Sequence, residues 1–184
     1  MDKLFQCLPD FILIEPHLPE DKTSGGVVMI ENVKRMLPIK ATVLSVGCDV
    51  LILKEGDVIS TMAGAGLELN INGHDSKLIQ SMHVYGIWDN DNFKPFGKLV
   101  LIEELKEEEL VIGGVIIPEA AKRMMLNKVR VVSVGYEVNG IIDNDIVAYD
   151  AQQGVAFNIK DRDYKLVPLQ KIFFVLRDSK LKII

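Results

Sequence analysis

The sequence predicts an all-β protein made of two tandem copies of one small domain, and three observations point there. Sliding residues 11–88 along the chain by 88 positions lays them on residues 99–176 without a gap. About a third of the aligned positions are identical, and most others exchange one apolar residue for another. A repeat of that length is a whole domain per copy, because solenoid units run to about 20–50 residues. The apolar segments are short, rich in β-branched residues and separated by Gly, Asn and Asp, which is the pattern of strands and turns. Few segments carry a helical period. Each copy therefore reads as a small barrel or sandwich, with boundaries at 1–91 and 92–184.

Taken in order, Phe11-Ile12-Leu13-Ile14 reads as the opening strand, followed by Ala41 to Val46, Asp57 to Ser60 and Leu67 to Ile71, the last with strict alternation. Turn residues punctuate them: Gly47, Gly56, Asn72-Gly73 and Gly86 in the first copy, Gly135, Gly140 and Gly154 in the second. Asn72-Gly73 predicts a type I′ hairpin, whose two central residues both need positive φ. Lys160-Asp161 stands at the matching place and predicts a different turn. Helix propensity favours Glu103–Leu110 and Glu119–Asn127. Trp88 to Pro95 is polar and reads as a short linker between the copies.

Composition narrows the function. The formal net charge of −5 disfavours nucleic acid as a partner, since phosphate binding needs a basic face. The charge is uneven: residues 1–92 carry 7 basic and 13 acidic side chains, and residues 93–184 carry 14 and 13. Cys7, in a possible first strand, and Cys48 have Pro95 and Tyr136 as counterparts, so no disulfide or metal-ligand spacing repeats. No apolar run approaches the roughly 18 residues of a membrane span. The expectation is a cytoplasmic protein, or one of an organellar matrix after removal of a transit segment, with no metal and no cofactor.

In each copy a charged approach leads into a glycine pair and an apolar tripeptide. The first reads Glu20-Asp21-Lys22-Thr23-Ser24-Gly25-Gly26-Val27-Val28-Met29, and the second Glu107-Glu108-Glu109-Leu110-Val111-Ile112-Gly113-Gly114-Val115-Ile116-Ile117. The glycines loosen the backbone and the charges disfavour burial of the approach. Such a segment is either a loop offering an apolar plug to a partner groove or an ordinary core strand after a glycine turn.

The ordered set of Thr23 to Met29, Val43 to Gly47, Gly56-Asp57-Val58-Ile59 and Met62-Ala63-Gly64 to Asn70-Ile71-Asn72-Gly73 resembles the GroES-like co-chaperonin family. Lys94-Pro95-Phe96, Gly113 to Lys122 and Tyr149 add to it in the second copy, so the resemblance covers nearly the whole chain twice. It is similar to the two-domain co-chaperonins of chloroplasts. The resemblance implies two tandem GroES-like small β-barrels, with glycine-flanked mobile loops that dock their tripeptides on a nucleotide-bound chaperonin ring. By that carry-over, Val27, Val28 and Met29, and Val115, Ile116 and Ile117, are the anchors. Thr23, Ser24, Gly25, Gly26, Gly113 and Gly114 complete the loops. Asn70 to Lys77 and Asn158 to Lys165 match the family's roof hairpins. Homo-oligomerisation is implied as well, although a two-lobed chain fits awkwardly into a ring with an odd number of lobes.

Departures fall outside the loops. The family's Asp-Arg after the opening proline is Asp10-Phe11 and Lys98-Leu99, and its Ala-Gly becomes Ala151-Gln152 in the second copy. The rival enzyme reading lacks residues to carry it. No dinucleotide-binding glycine motif is present, and His17, His74 and His83 face Leu105, Arg162 and Lys171 across the repeat. No catalytic residue is expected. The other rival is a tandem β-barrel structural or adaptor module with no chaperonin partner.

Overall fold

The computed structural model describes residues 7–17, 37–71, 73–104, 111–112, 115–116, 127–150 and 152–176. The chain divides into two compact units, Met1–Lys94 and Pro95–Ile184. Among the described residues both are β-structure, interrupted only by 3-10 turns at Ser81–His83 and Leu169–Lys171.

In the first unit, β1 (Phe11–His17) is followed by β2 (Pro38–Val46), β3 (Val58–Met62), β4 (Leu67–Ile71), β5 (His74–Gln80), β6 (Val84–Asp89) and β7 (Asn92–Pro95). They form one sheet in the order β4-β5-β1-β2-β3-β6-β7. Alternation along β2 sends Ile39, Ala41 and Val43 inward, where they join Ile12, Ile14, Ile59, Ile79 and Val84. Each such valine or isoleucine side chain contributes about 1.5–3 kcal/mol when fully buried.

The second unit repeats this with β8 (Leu99–Glu104), β11 (Asn127–Val134), β12 (Ile146–Tyr149), β13 (Val155–Ile159), β14 (Arg162–Pro168) and β15 (Ile172–Leu176), preceded in part by the short strands β9 (Val111–Ile112) and β10 (Val115–Ile116). Six strands form a sheet in the order β13-β14-β8-β11-β12-β15, while β9 and β10 pair with each other. Val100, Ile102, Val129, Val131, Val147, Tyr149 and Val167 form its core.

The repeat extends to the irregularities. Register shifts fall between Leu13 and Ile14 in β1, and between Val131 and Ser133 in β11, at the same crossing of the paired strands. A second pair falls between Ser60 and Thr61 and between Ala148 and Tyr149. In the turn before β3, Asp57 accepts the Lys54 N–H at 2.8 Å; before β12, Asp145 accepts the Ile142 N–H at 3.0 Å. The preceding residue has positive φ in both, Gly56 at 90° and Asn144 at 70°. Gly47 and Gly135 donate to Phe11 O and Leu99 O at 2.8 and 2.9 Å. A methyl at Gly47 would run into the carbonyls of Leu8 and Pro9, and one at Gly135 into the carbonyl of Gly97. Only glycine fits this approach.

Four sequence expectations need correction. Trp88–Pro95 is not a linker: Trp88 and Asp89 end β6, Asn90 turns the chain at φ 54°, and β7 returns beside β6 with Phe93 buried. Glu103 and Glu104 are strand, paired with Arg130 and Val129, because tertiary pairing overrides helix propensity. Residues 105–110 and 117–126 lie outside the described residues, and Asn127 begins β11. Cys7 precedes β1, with its thiol 3.7 Å from Ser45 O. Finally, Lys160 and Asp161 have φ of 51° and 60°, so the second copy makes the same doubly left-handed turn that Asn-Gly predicts for the first.

Candidate functional site

Each unit carries two features that correspond across the repeat. One is a long connection between adjacent antiparallel strands. β1 and β2 are paired up to His17↔Lys40, and residues 18–37 join them. β8 and β11 are paired up to Glu104↔Val129, and residues 105–126 join them. Neighbouring antiparallel strands need only a two-residue turn, and long connections in compact domains are commonly functional. The stems differ in chemistry. His17 Nε2 lies 2.9 Å from Thr42 Oγ1 in the first, whereas Glu103 and Glu104 close the second.

Thr23, Ser24, Gly25, Gly26, Val27, Val28 and Met29 all lie in the first connection, outside the described residues, as do Gly113, Gly114 and Ile117 in the second. Val115 and Ile116 form β10, whose backbone pairs Val115↔Ile112 and Ile116↔Val111. The glycine pair thus falls between two strands of a hairpin.

The other feature is a projecting hairpin. β5 pairs with β1 only as far as Ile14↔Lys77, so His74–Ser76 are held by β4 alone. β14 leaves β8 after Lys165↔Ile102, and Arg162–Tyr164 are held by β13 alone. Near each tip an Asn–Asp pair bridges the strands: Asn70 donates to Asp75 at 3.0 Å, and Asn158 to Asp163 at 3.0 Å. The Gly73 N–H also donates to Asn70 Oδ1 at 3.1 Å.

At the hairpin bases a lysine is drawn inward. Lys77 donates to Ala63 O at 2.6 Å and meets Glu68 at 3.1 Å. Lys165 reaches the Tyr149 hydroxyl at 3.3 Å, with that hydroxyl 3.5 Å from Glu104. Burial holds the Tyr149 phenol above its ordinary pKa, and Lys165 pulls the other way. Tyr149, buried where the first copy has Thr61, thereby links the second hairpin to β8; Thr61 instead donates to His83 O at 2.8 Å. Sequence reading singled out Tyr149 only as a motif residue; the signal it missed is that Lys77 and Lys165 are identical across the repeat.

Among the described residues no group of three or more His, Cys, Asp or Glu could hold a metal ion. No helix among them is long and apolar enough to cross a membrane.

The family model described as Chaperonin 10 Kd subunit matches this chain twice, over residues 5–88 and again over 92–176. The chain belongs to that family. Among curated relatives, the Co-chaperonin GroES of Campylobacter curvus is 34% identical over 86 residues, 47% of this chain and 99% of the relative. The Co-chaperonin GroES of Campylobacter concisus is 33% identical and that of Campylobacter lari 28%, each over 86 residues with the same shares. Every such relative is matched almost in full by about half of this chain, as a tandem chaperonin 10 member requires. With two sheets of seven and six strands, the architecture agrees with two GroES-like domains.

Proposed function

We propose that this chain is a co-chaperonin that caps a nucleotide-bound, GroEL-like chaperonin ring and encloses substrate protein for folding. The observation that carries the reading is the double family match on a repeated framework, which sets a long connection on the same strand pair in each unit. Val27, Val28, Met29, Val115, Ile116 and Ile117 supply the docking side chains, and Gly25, Gly26, Gly113 and Gly114 the freedom to order on docking. The β9–β10 pairing supports a hairpin as the docked form of the second loop. A loop that orders on binding gives up part of its contact energy, so each contact alone is weak. Joining loops on one assembly adds an avidity of order 10²–10⁴. The same reading makes the protein a homo-oligomer without catalytic activity of its own. It places the protein in the cytoplasm or an organellar matrix, where the free thiols of Cys7 and Cys48 would persist.

The test is co-sedimentation with a GroEL-type ring in ATP, in ADP and without nucleotide. Association is expected with nucleotide only, and Val28→Asp with Val115→Asp is expected to weaken it at least a hundredfold. Undiminished association of the double variant would sink the mobile-loop assignment.

A further inference from the structure

One lysine stands at the base of both hairpins, and the two units answer its charge from different places. In the first unit Lys77, 8% exposed, faces Glu68 across the β4–β5 ladder and meets its carboxylate at 3.1 Å. That acid belongs to the same hairpin. In the second unit Lys165 faces Ala156 across the β13–β14 ladder, where the first has Glu68. Its ammonium lies 3.3 Å from the Tyr149 hydroxyl and 5.5 Å from the centroid of that ring, and the hydroxyl lies 3.5 Å from Glu104.

Three positions change together to give this route. Glu68 becomes Ala156, Thr61 becomes Tyr149 and Pro16 becomes Glu104. The first change takes away the acid across the ladder. The second supplies a hydroxyl that reaches the lysine from the core, and the third places a carboxylate beyond that hydroxyl. In the first unit Thr61 donates to His83 O instead, and Pro16 has no acid to offer. Glu104 ends β8 and pairs with Val129, so it stands at the root of the connection formed by residues 105–126. A hydroxyl held between a cation and an anion in a largely buried place is polarised by both, and the three groups act as a unit.

We propose that Lys165 and Tyr149 are positioning residues for the second long connection. Through Glu104 they fasten its root to the β13–β14 hairpin, whereas Lys77 is held by Glu68 within its own hairpin. The consequence for docking rests on the co-chaperonin reading: a connection whose root is fixed gives up less freedom when it binds. The two connections of one chain then bind unequally, because of a contact that lies outside both.

Hydrogen–deuterium exchange on the full chain without partner tests the fastening, and Ala156→Glu is the discriminating variant. Ala156 is exposed, so the change restores the arrangement of the first unit and leaves the core intact. Exchange over residues 99–104 and 127–134 should quicken about fivefold in Ala156→Glu and in Tyr149→Phe, as the loss of one hydrogen bond predicts. Combining the two should add nothing further. Glu68→Ala should leave exchange over residues 11–17 and 38–46 unchanged. The proposal is overturned if Ala156→Glu exchanges at the parent rate, if the two substitutions add, or if Glu68→Ala loosens the first stem. Ala156→Glu decides the matter should Tyr149→Phe fold poorly. Binding to a GroEL-type ring in ATP should weaken severalfold in Ala156→Glu and hold in Glu68→Ala. Full-strength binding by an Ala156→Glu protein whose stem exchanges faster would overturn the positioning role. Failure of the unsubstituted chain to bind the ring would defeat the co-chaperonin reading, and exchange alone would then decide the tether.

Discussion

The two units keep one set of backbone hydrogen bonds and spend their differences on side chains. Val43 and Val131 each donate to an aspartate carbonyl at 2.8 Å and accept from the next turn at 2.8 Å. Around that frame, Thr61 becomes Tyr149, Asn72-Gly73 becomes Lys160-Asp161, and Gly86 becomes Phe174. The comparison teaches that pairing register and close backbone approach are what the duplicated sequence preserves. The contents of the core and the fate of the edges are free to diverge.

The comparison can be broken most severely at the shared glycines. Gly47→Ala and Gly135→Ala each push a methyl into backbone carbonyls, and each is expected to destabilise its own unit by about 3 kcal/mol. Urea unfolding measures both; a cost at one site and none at the other would show that the frames are not equivalent. A middle-sized effect separates the cores. Tyr149→Phe removes the hydroxyl that Lys165 and Glu104 share and should cost about 1 kcal/mol. Burial raises the Tyr149 phenol pKa in the folded state, so its stabilising contribution is complete below the unfolded value of about 10. That contribution fades as pH rises through the folded value, and the variant should unfold with a weaker pH dependence above about 10.

The smallest effect has the opposite sign. Lys160 and Asp161 hold φ of 51° and 60°, a conformation that costs roughly 1 kcal/mol for an ordinary residue. Replacing them with Asn-Gly, the pair the first copy uses, should raise the melting temperature by a few degrees. A fall would mean that their side chains do something at the hairpin tip that the first copy does without.

Much of this was legible in the chain, and the misses share a cause. Strands with β-branched runs, such as Ala41 to Val46, announce themselves because their own composition suffices. β7 does not, since Asn92 and Lys94 mask the alternation that buries Phe93 and Pro95. The offset to Leu4–Cys7 and the Asn90-Asp91 turn dipeptide were the available signals. Glu103–Glu104 read as helix by propensity; their counterparts Glu15-Pro16 lie in β1, beyond the Phe11–Ile14 run that the sequence marks as strand. At Lys160-Asp161 the local preference lost to the Asn158–Asp163 bridge, which fixes the register and imposes the turn on whatever residues lie between. For the candidate site, the sequence marked the glycine-flanked segments, while the strand pairs that residues 18–37 and 105–126 join emerged only in three dimensions.

One contact has an optical consequence. Lys40 pairs with His17 at the stem of the first long connection, and its ammonium lies 3.9 Å from the centroid of Trp88, the single tryptophan of the chain. A cation over an indole face perturbs its emission, and the second unit has Leu176 at the matching place. Any event that pulls on residues 18–37 should therefore change fluorescence, and events confined to residues 105–126 should leave it unaltered. The protein thus carries, in its single tryptophan, a spectroscopic probe set beside the stem of one long connection and not of the other.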